Sequence, residues 1–149
     1  MKKILRIIKL QIYKITKIKD FPESVAVGMA WGVAVSFTPL LGLHLIICYL
    51  GTWLMKGNLI AATVGTIIGN PWTFPFIFYL DYKVGITIFL EGIDFYEFKI
   101  SFLVEHFEDL FYPTLLGSFP VATIMWFVTF YACKNFLTNR INEKNKIRR

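Results

Sequence analysis

The stretch of residues 70–75 constrains the fold of this chain more than any other feature. It places Pro71 and Pro75, with an asparagine and a threonine, inside a segment (residues 57–80) that carries no charge. A proline in a helix interior costs about 3 kcal/mol or more. In hydrocarbon, the backbone groups that it frees must find partners within the protein. The stretch therefore predicts a membrane protein in which at least one helix is broken.

The charged residues are concentrated at the two ends of a chain that is 56% hydrophobic. Residues 1–19 hold seven Lys/Arg and no acid, and residues 134–149 hold six Lys/Arg and one acid. Basic segments beside long apolar runs mark the cytoplasmic ends of membrane segments. We therefore predict a multi-pass membrane protein with both termini in the cytoplasm. Nucleic-acid binding is disfavoured, because the basic residues lie in tails rather than on a folded face.

The sequence contains no pattern typical of an enzyme. It has two histidines, far apart in the chain, and no nucleophile–base pair, metal-ligand cluster or phosphate-binding loop. Cys48 and Cys133 lie in apolar runs, where cysteine packs as a small hydrophobic residue. We predict no catalytic residue, no metal site and no cofactor.

Residues 1–20 predict a basic amphipathic helix. With a period of 3.6 residues, Ile4, Ile8 and Ile12 share one face, and most of the lysines lie on the other. Such a helix fits the plane of an anionic membrane surface, where each Lys or Arg contributes about 1 kcal/mol. The alternative is a frayed polar tail. We predict an interfacial helix that binds anionic lipid.

Residues 24–55 carry no charge, but they are too long for one straight span. A single helix of this length would measure about 48 Å, against about 30 Å of hydrocarbon. Thr38, Pro39 and Gly42 predict a break near the middle. We therefore expect a re-entrant helical hairpin broken at residues 38–42, or a pair of steeply tilted short helices, that enters and leaves the membrane on one side.

Residues 57–90 predict a second broken helix, interrupted at residues 70–75. Each of the two broken units carries two glycines four residues apart, a spacing that lets another helix approach closely. These pairs are Gly28 with Gly32 and Gly65 with Gly69. A glycine pair followed by a proline in each unit is a pattern shared with transporters that contain discontinuous helices. Internal repetition is one interpretation of this pattern.

The last third of the chain predicts one external helix and one span. Residues 91–112 predict an acidic amphipathic helix on the external surface, ended by Pro113. Residues 114–133 are long and apolar enough to cross the membrane, and residues 134–149 form a basic cytoplasmic tail. With both termini inside, the number of crossings is even. The hairpin satisfies this count, whereas three plain spans would put one basic end outside.

Four ordered motifs resemble those of a known family. They are Phe-Pro-Glu-Ser-Val-Ala-Val-Gly from residue 21, Phe-Thr-Pro-Leu-Leu-Gly-Leu-His from residue 37, Gly-Asn-Leu-Ile-Ala-Ala from residue 57 and Gly-Asn-Pro-Trp-Thr-Phe-Pro from residue 69. Over residues 20–140 the chain resembles a bacterial membrane family catalogued as domain of unknown function 2062. The resemblance implies an all-α, multi-pass protein of the bacterial inner membrane and implies no activity. Some relatives look fused to glycosyltransferase-like domains, which suggests a membrane glycosyltransferase as a partner.

The candidate ligand site lies at the two helix breaks. Its polar side chains are Thr38, His44, Asn70 and Thr73, and the breaks themselves are set by Pro39, Gly42, Pro71 and Pro75. We predict that the breaks meet near the membrane midplane and bind a small solute, ion or lipid headgroup. The protein would then be a transporter- or channel-like homo-oligomer assembled through its glycine faces.

Two alternatives remain open at this point. The polar side chains could instead hydrogen-bond the backbone groups that the prolines free. The protein could be an accessory or scaffold protein for cell-envelope assembly, working beside a membrane glycosyltransferase.

The charged residues Asp81 and Lys83 also have two interpretations. They either lie at the outer interface or line an aqueous path.

Overall fold

The computed structural model describes residues 21–40, 42–88 and 107–147, and all regular structure in these ranges is helical. The helices are α1 (Pro22–Ser36), α2 (His44–Leu54), α3 (Leu59–Gly65), α4 (Phe74–Ile88) and α5 (Phe107–Ile147), and a 3₁₀ turn (Thr66–Ile68) extends α3. The all-α class predicted from the sequence is confirmed. The basic helix predicted at residues 1–20, and most of the acidic helix predicted at residues 91–112, lie outside the described residues.

Helix α1 begins and ends where the sequence provides local signals. Pro22 occupies the first turn, where its missing N–H is not needed, and Glu23 complements the helix dipole there. At the other end, the Thr38 hydroxyl donates to the carbonyl of Val35 at 2.7 Å. The chain then turns through Gly42, whose φ of +90° is accessible to glycine at little cost.

Helices α1 and α3 lie side by side and run in the same direction. Small residues of α1 face small residues of α3 and of the segment after it in a constant register. Gly28 lies against Ala61, Gly32 against Gly65, and Ser36 against Gly69, each pair 33 positions apart. Helix α2 packs against α1 and runs antiparallel to it, with Gly51 against the Trp31 ring and Cys48 packed with Val35. The chain thus travels along α1, back along α2, and along the same direction again in α3.

Helix α5 runs antiparallel to both α1 and α4. Near one end, the Lys134 ammonium contacts the Glu23 carboxylate at 2.8 Å. In the middle, Val121 packs with Val33 of α1 and with Ile77 of α4. Towards the other end, Gly85 of α4 lies directly on the backbone of Pro113. Helices α1 and α4 are therefore placed one after the other along the single long helix α5.

The structure differs from the sequence-based boundaries in the last third of the chain. Pro113 was expected to end one helix, but α5 continues through Pro113 and Pro120. Each proline removes one hydrogen bond, and the close packing of α4 on Pro113 offsets that cost. The segment from residue 134, predicted as a separate tail, continues α5 to Ile147, and Leu137 in its first turn packs with Val25 and Ala61.

The described helices expose an unusual amount of apolar surface. Among the described helices, the part of α5 from Glu108 to Glu143 is long and apolar enough to cross a membrane. Exposure is high at several large side chains, including Trp72 (87%), Phe76 (77%) and Trp53 (69%). Water-soluble monomers rarely display so many exposed large apolar side chains together. Both observations support association with a membrane.

Candidate functional site

The structure brings together the segments that flank the two predicted helix breaks. Ser36, the last residue of α1, lies against Gly69, where a β-carbon would be 2.9 Å from that of the serine. The Ser36 hydroxyl donates to the Gly32 carbonyl at 2.9 Å and also approaches the Thr66 carbonyl at 3.4 Å. Just beyond, Phe37 packs with Ile77 of α4. The ends of α1 and α3 and the start of α4 therefore adjoin.

The polar residues of the first break make local hydrogen bonds. The Thr38 hydroxyl donates to Val35, as described above, and the Nδ1 atom of His44 accepts from the backbone N–H of Gly42 at 3.3 Å. Pro39 is buried, whereas Gly42 is exposed at the turn. Both polar side chains therefore form hydrogen bonds within the turn that links α1 to α2, where His44 is partly exposed.

In the second break, Asn70 and Thr73 bond almost entirely to neighbouring backbone. The Asn70 Oδ1 atom accepts from the N–H groups of Trp72 at 2.9 Å and Thr73 at 3.1 Å, and its Nδ2 donates to Ile67. The Thr73 hydroxyl accepts from the Asn70 N–H, and the carbonyls of Ile68 and Asn70 both lie within reach of its single proton. These bonds satisfy the groups that the interruption frees, while Pro71 and Pro75 remain exposed.

The four glycines predicted to pack helices all contact other parts of this chain. A β-carbon on Gly28 would overlap the carbonyl oxygen of Asn58, and one on Gly32 would overlap that of Ala62. Gly65 and Gly69 lie on the opposite side of the same contact. This surface is filled within the chain, so a second copy would have to bind elsewhere.

An ion pair joins the first turn of α1 to α5. The hydrogen bond from Lys134, together with its positive charge, lowers the pKa of the Glu23 carboxyl below its ordinary value of 4.5. Both side chains are partly exposed, so this pair fixes a position more than it supplies stability.

Asp81 is the polar residue that the predicted site did not include. Its side chain is 1% exposed, and its Oδ1 atom has no hydrogen-bond partner among the residues that the structure describes. Lys83, two positions along α4, is exposed, with its Nζ atom 5.8 Å from the centre of the Tyr79 ring. Asp81 and Lys83, which the sequence analysis assigned to one environment, therefore lie in different environments: Asp81 is buried and Lys83 is exposed.

Asp81 contacts α5 at Gly117, which lies next to Ser118 and three residues after Thr114. Gly117 lies directly on the Asp81 backbone, and Thr114 and Ser118 on the same helix are buried. The Thr114 hydroxyl donates to Leu110 at 2.6 Å, and the Ser118 hydroxyl donates to Leu115 at 2.7 Å. Each hydroxyl uses its only proton within its own helix.

The sequence contained a signal that could have indicated Asp81 as a site residue, because it is the only acid between residues 24 and 90.

Comparison with known proteins gives a family and no function. Residues 5–146 match the sequence model of a family described as an uncharacterised protein conserved in bacteria, domain of unknown function 2062. No curated protein and no solved structure matches the chain.

Proposed function

The chain belongs to this family of uncharacterised bacterial proteins, and we propose that it is a multi-pass inner-membrane protein that binds a small solute or ion at membrane depth. The observation that carries the proposal is the placement of two half-length helices, α1 and α4, along one full-length helix, α5. Discontinuous helices of this kind place binding groups near the bilayer midplane in known transporters.

Helix lengths support a full crossing by α5, with α1 and α4 each covering part of the membrane thickness. On α5, Lys134 contacts the start of α1 and Pro113 contacts the last turn of α4. These two residues are 21 positions apart. At 1.5 Å per residue this is about 31 Å, close to the thickness of the hydrocarbon core. Helix α1 and helix α4, of 15 residues each, would each cover about 22 Å and neither would cross alone.

The order of the helices supports a re-entrant hairpin. Helix α2 brings the chain back to Lys56, whose carbonyl accepts a hydrogen bond from Ser24 at 3.1 Å. Since Ser24 is next to Glu23, Lys56 lies at the same level as Lys134. In this topology α1 and α2 enter and return, α3 and α4 cross, and α5 crosses back, with both termini in the cytoplasm.

The binding role and the accessory role make different use of the breaks. Because the polar groups of Asn70 and Thr73 bond to nearby backbone, the breaks serve first as structural joints, which favours the accessory alternative. The buried Asp81 carboxyl, whose Oδ1 has no hydrogen-bond partner among the described residues, favours binding, because ionisable groups at membrane depth mark ion and substrate paths. We therefore propose binding as the main function. Homo-oligomerisation, anionic-lipid binding by residues 1–20 and a glycosyltransferase partner remain proposals.

Cysteine accessibility tests the topology. In a background with both native cysteines replaced by alanine, single cysteines at Lys56, Asp109 and Glu143 would be treated with a membrane-impermeant maleimide. We expect Asp109→Cys to react in intact spheroplasts, and Lys56→Cys and Glu143→Cys to react only in inside-out vesicles. Reaction of Lys56→Cys in spheroplasts would contradict the hairpin and support three plain spans.

Native mass measurement of the protein in lipid discs separates the two roles. A homo-oligomer without a second protein is expected for the binding role. A stoichiometric membrane glycosyltransferase in the same complex would instead support the accessory role. The two experiments are independent, because the topology can hold under either role.

A further inference from the structure

We propose that Asp81 binds and releases a proton at the crossing of α4 and α5. This inference rests on the proposed membrane location and names the ligand of the binding site. It assigns to one carboxyl the role that the sequence had placed at the helix breaks.

Burial is the first argument for a proton. The Asp81 side chain is almost fully covered, and Oδ1 receives no hydrogen bond from the described residues. Placing an ionised carboxylate in such surroundings costs several kcal/mol unless a donor or a cation compensates it. A bound proton neutralises the carboxylate and so removes the free-energy cost of burying its charge. The site therefore favours the neutral acid.

The neighbouring helices supply no competing charge. Among described residues, α5 carries no acidic or basic side chain between Asp109 and Lys134, and α1 carries none after Glu23. On α4 itself, Tyr82 is buried beside Asp81, and Lys83 extends to the surface near Tyr79. The titratable Tyr112 on α5 is exposed. No cation in the described structure is therefore placed to hold Asp81 in its ionised form.

The ligand set argues against a metal ion. Hard cations such as Ca²⁺ and Mg²⁺ require about six or more oxygen ligands. The buried hydroxyls of Thr114 and Ser118, which flank Gly117 on α5, are already bonded to their own helix, and α5 carries no carboxylate between Asp109 and Lys134. One carboxyl in this setting matches a proton better than a metal ion.

The position along α5 indicates the side from which a proton arrives. Gly117, which contacts Asp81, is eight residues from Asp109 and 17 residues from Lys134. These separations correspond to about 12 Å and about 26 Å along the helix. The carboxyl is closer to the acidic, external end of α5, so we expect exchange with that side.

The test uses N,N′-dicyclohexylcarbodiimide, an apolar reagent that modifies protonated carboxylic acids, on the full-length protein in lipid discs. Peptide mass spectrometry would locate the modified residue at pH values from about 5 to about 9. This range covers the pH at which buried carboxyl groups ionise. We expect modification at Asp81, falling by about tenfold per pH unit once the group ionises. Exposed Glu108 and Asp109 serve as internal controls and should remain unmodified near neutral pH.

Two further arms keep the proposal falsifiable. Asp81→Asn copies the shape of the neutral acid, so it should fold normally and lose the modification. Protection by Na⁺ at constant pH would overturn the assignment to a proton in favour of a metal cation. Absence of modification at low pH, or a yield independent of pH, would also overturn it. Since the cysteine experiment reports topology separately, failure of the membrane proposal is distinguishable from failure at Asp81.

Discussion

Gly32 and Gly65 meet backbone to backbone. A β-carbon added to Gly32 would lie 2.8 Å from the Cα of Gly65, and one added to Gly65 would lie 2.9 Å from the Cα of Gly32. Only two helices with no side chain at the contact can approach this closely. This contact fixes α1 and α3 in parallel and brings Ser36 to Gly69, so it determines where the two breaks meet.

We predict that Gly32→Ala destabilises the protein. In an isolated helix the change would gain about 0.5–1 kcal/mol. Here the new methyl group meets the Ala62 carbonyl and the Gly65 backbone, and overpacking of this kind costs about 1–3 kcal/mol, occasionally more. We expect a net loss in the free energy of unfolding, measured by titrating the detergent-solubilised protein with sodium dodecyl sulfate.

The control for this prediction is a compensating deletion nearby. Because the obstacles to the Gly32 methyl group are backbone atoms, Ala62→Gly should not restore stability in the double variant. If Ala62→Gly restored stability, the Ala62 side chain would be the obstacle to the new methyl group. That result would contradict the backbone contact between Gly32 and Gly65. Gly42→Ala offers a second comparison, because no atom lies within 4 Å and its cost comes from the positive φ alone.

The sequence predicted the helices and their interruptions better than their partners. Proline and glycine act locally, so Pro39 and Pro71 indicate interruption without knowledge of the fold. The partner of a glycine face is a property of the tertiary structure. The sequence therefore could not distinguish contact between Gly32 and Gly65 within one chain from contact between two copies. Nor could it predict that packing of Gly85 on Pro113 would let α5 continue.

The candidate site illustrates the same limit. Asn70 is a candidate ligand residue in the sequence because it is polar in an apolar segment. In the structure, its side-chain oxygen accepts hydrogen bonds from backbone N–H groups of its own turn. Asp81 has the same signal in the sequence, and its different role depends on α5 covering it. Whether a buried polar group is satisfied is decided by three-dimensional neighbours, which sequence periodicity does not identify.

We predict that Asn70→Leu lowers stability and cellular abundance. The side-chain oxygen accepts two backbone N–H groups at the start of α4, and loss of such a cap costs about 0.5–2 kcal/mol. Asn70→Asp retains the acceptor and is the matched control, so it should keep more of the stability. Abundance is measured by quantitative immunoblotting of membranes. Normal abundance of Asn70→Leu with loss of binding would show instead that Asn70 contacts a ligand.

We predict a stability contribution of the Glu23–Lys134 pair that depends on pH. Because Lys134 lowers the pKa of Glu23 below 4.5, the folded state favours the ionised carboxylate. The contribution is therefore fully present at neutral pH and is lost as the pH falls through the lowered pKa. Thermal unfolding of the wild type and Glu23→Gln should differ at neutral pH and converge in acid. Glu143→Gln, an exposed change on the same helix, should not produce this convergence.

We predict that Trp72 lies deeper in the bilayer than Trp53. Both rings are exposed, at 87% and 69%. Trp53 precedes the turn that returns to the level of Lys134, whereas Trp72 lies in the break next to α4. There Ile77 packs with Val121, which is 13 residues from Lys134, or about 20 Å along α5. In single-tryptophan variants, lipids brominated near mid-chain should quench Trp72 more strongly than Trp53, and lipids brominated near the headgroup should reverse the order. Equal quenching of both residues at every bromine depth would contradict the half-length arrangement of α1 and α4, because it would place both turns at one level.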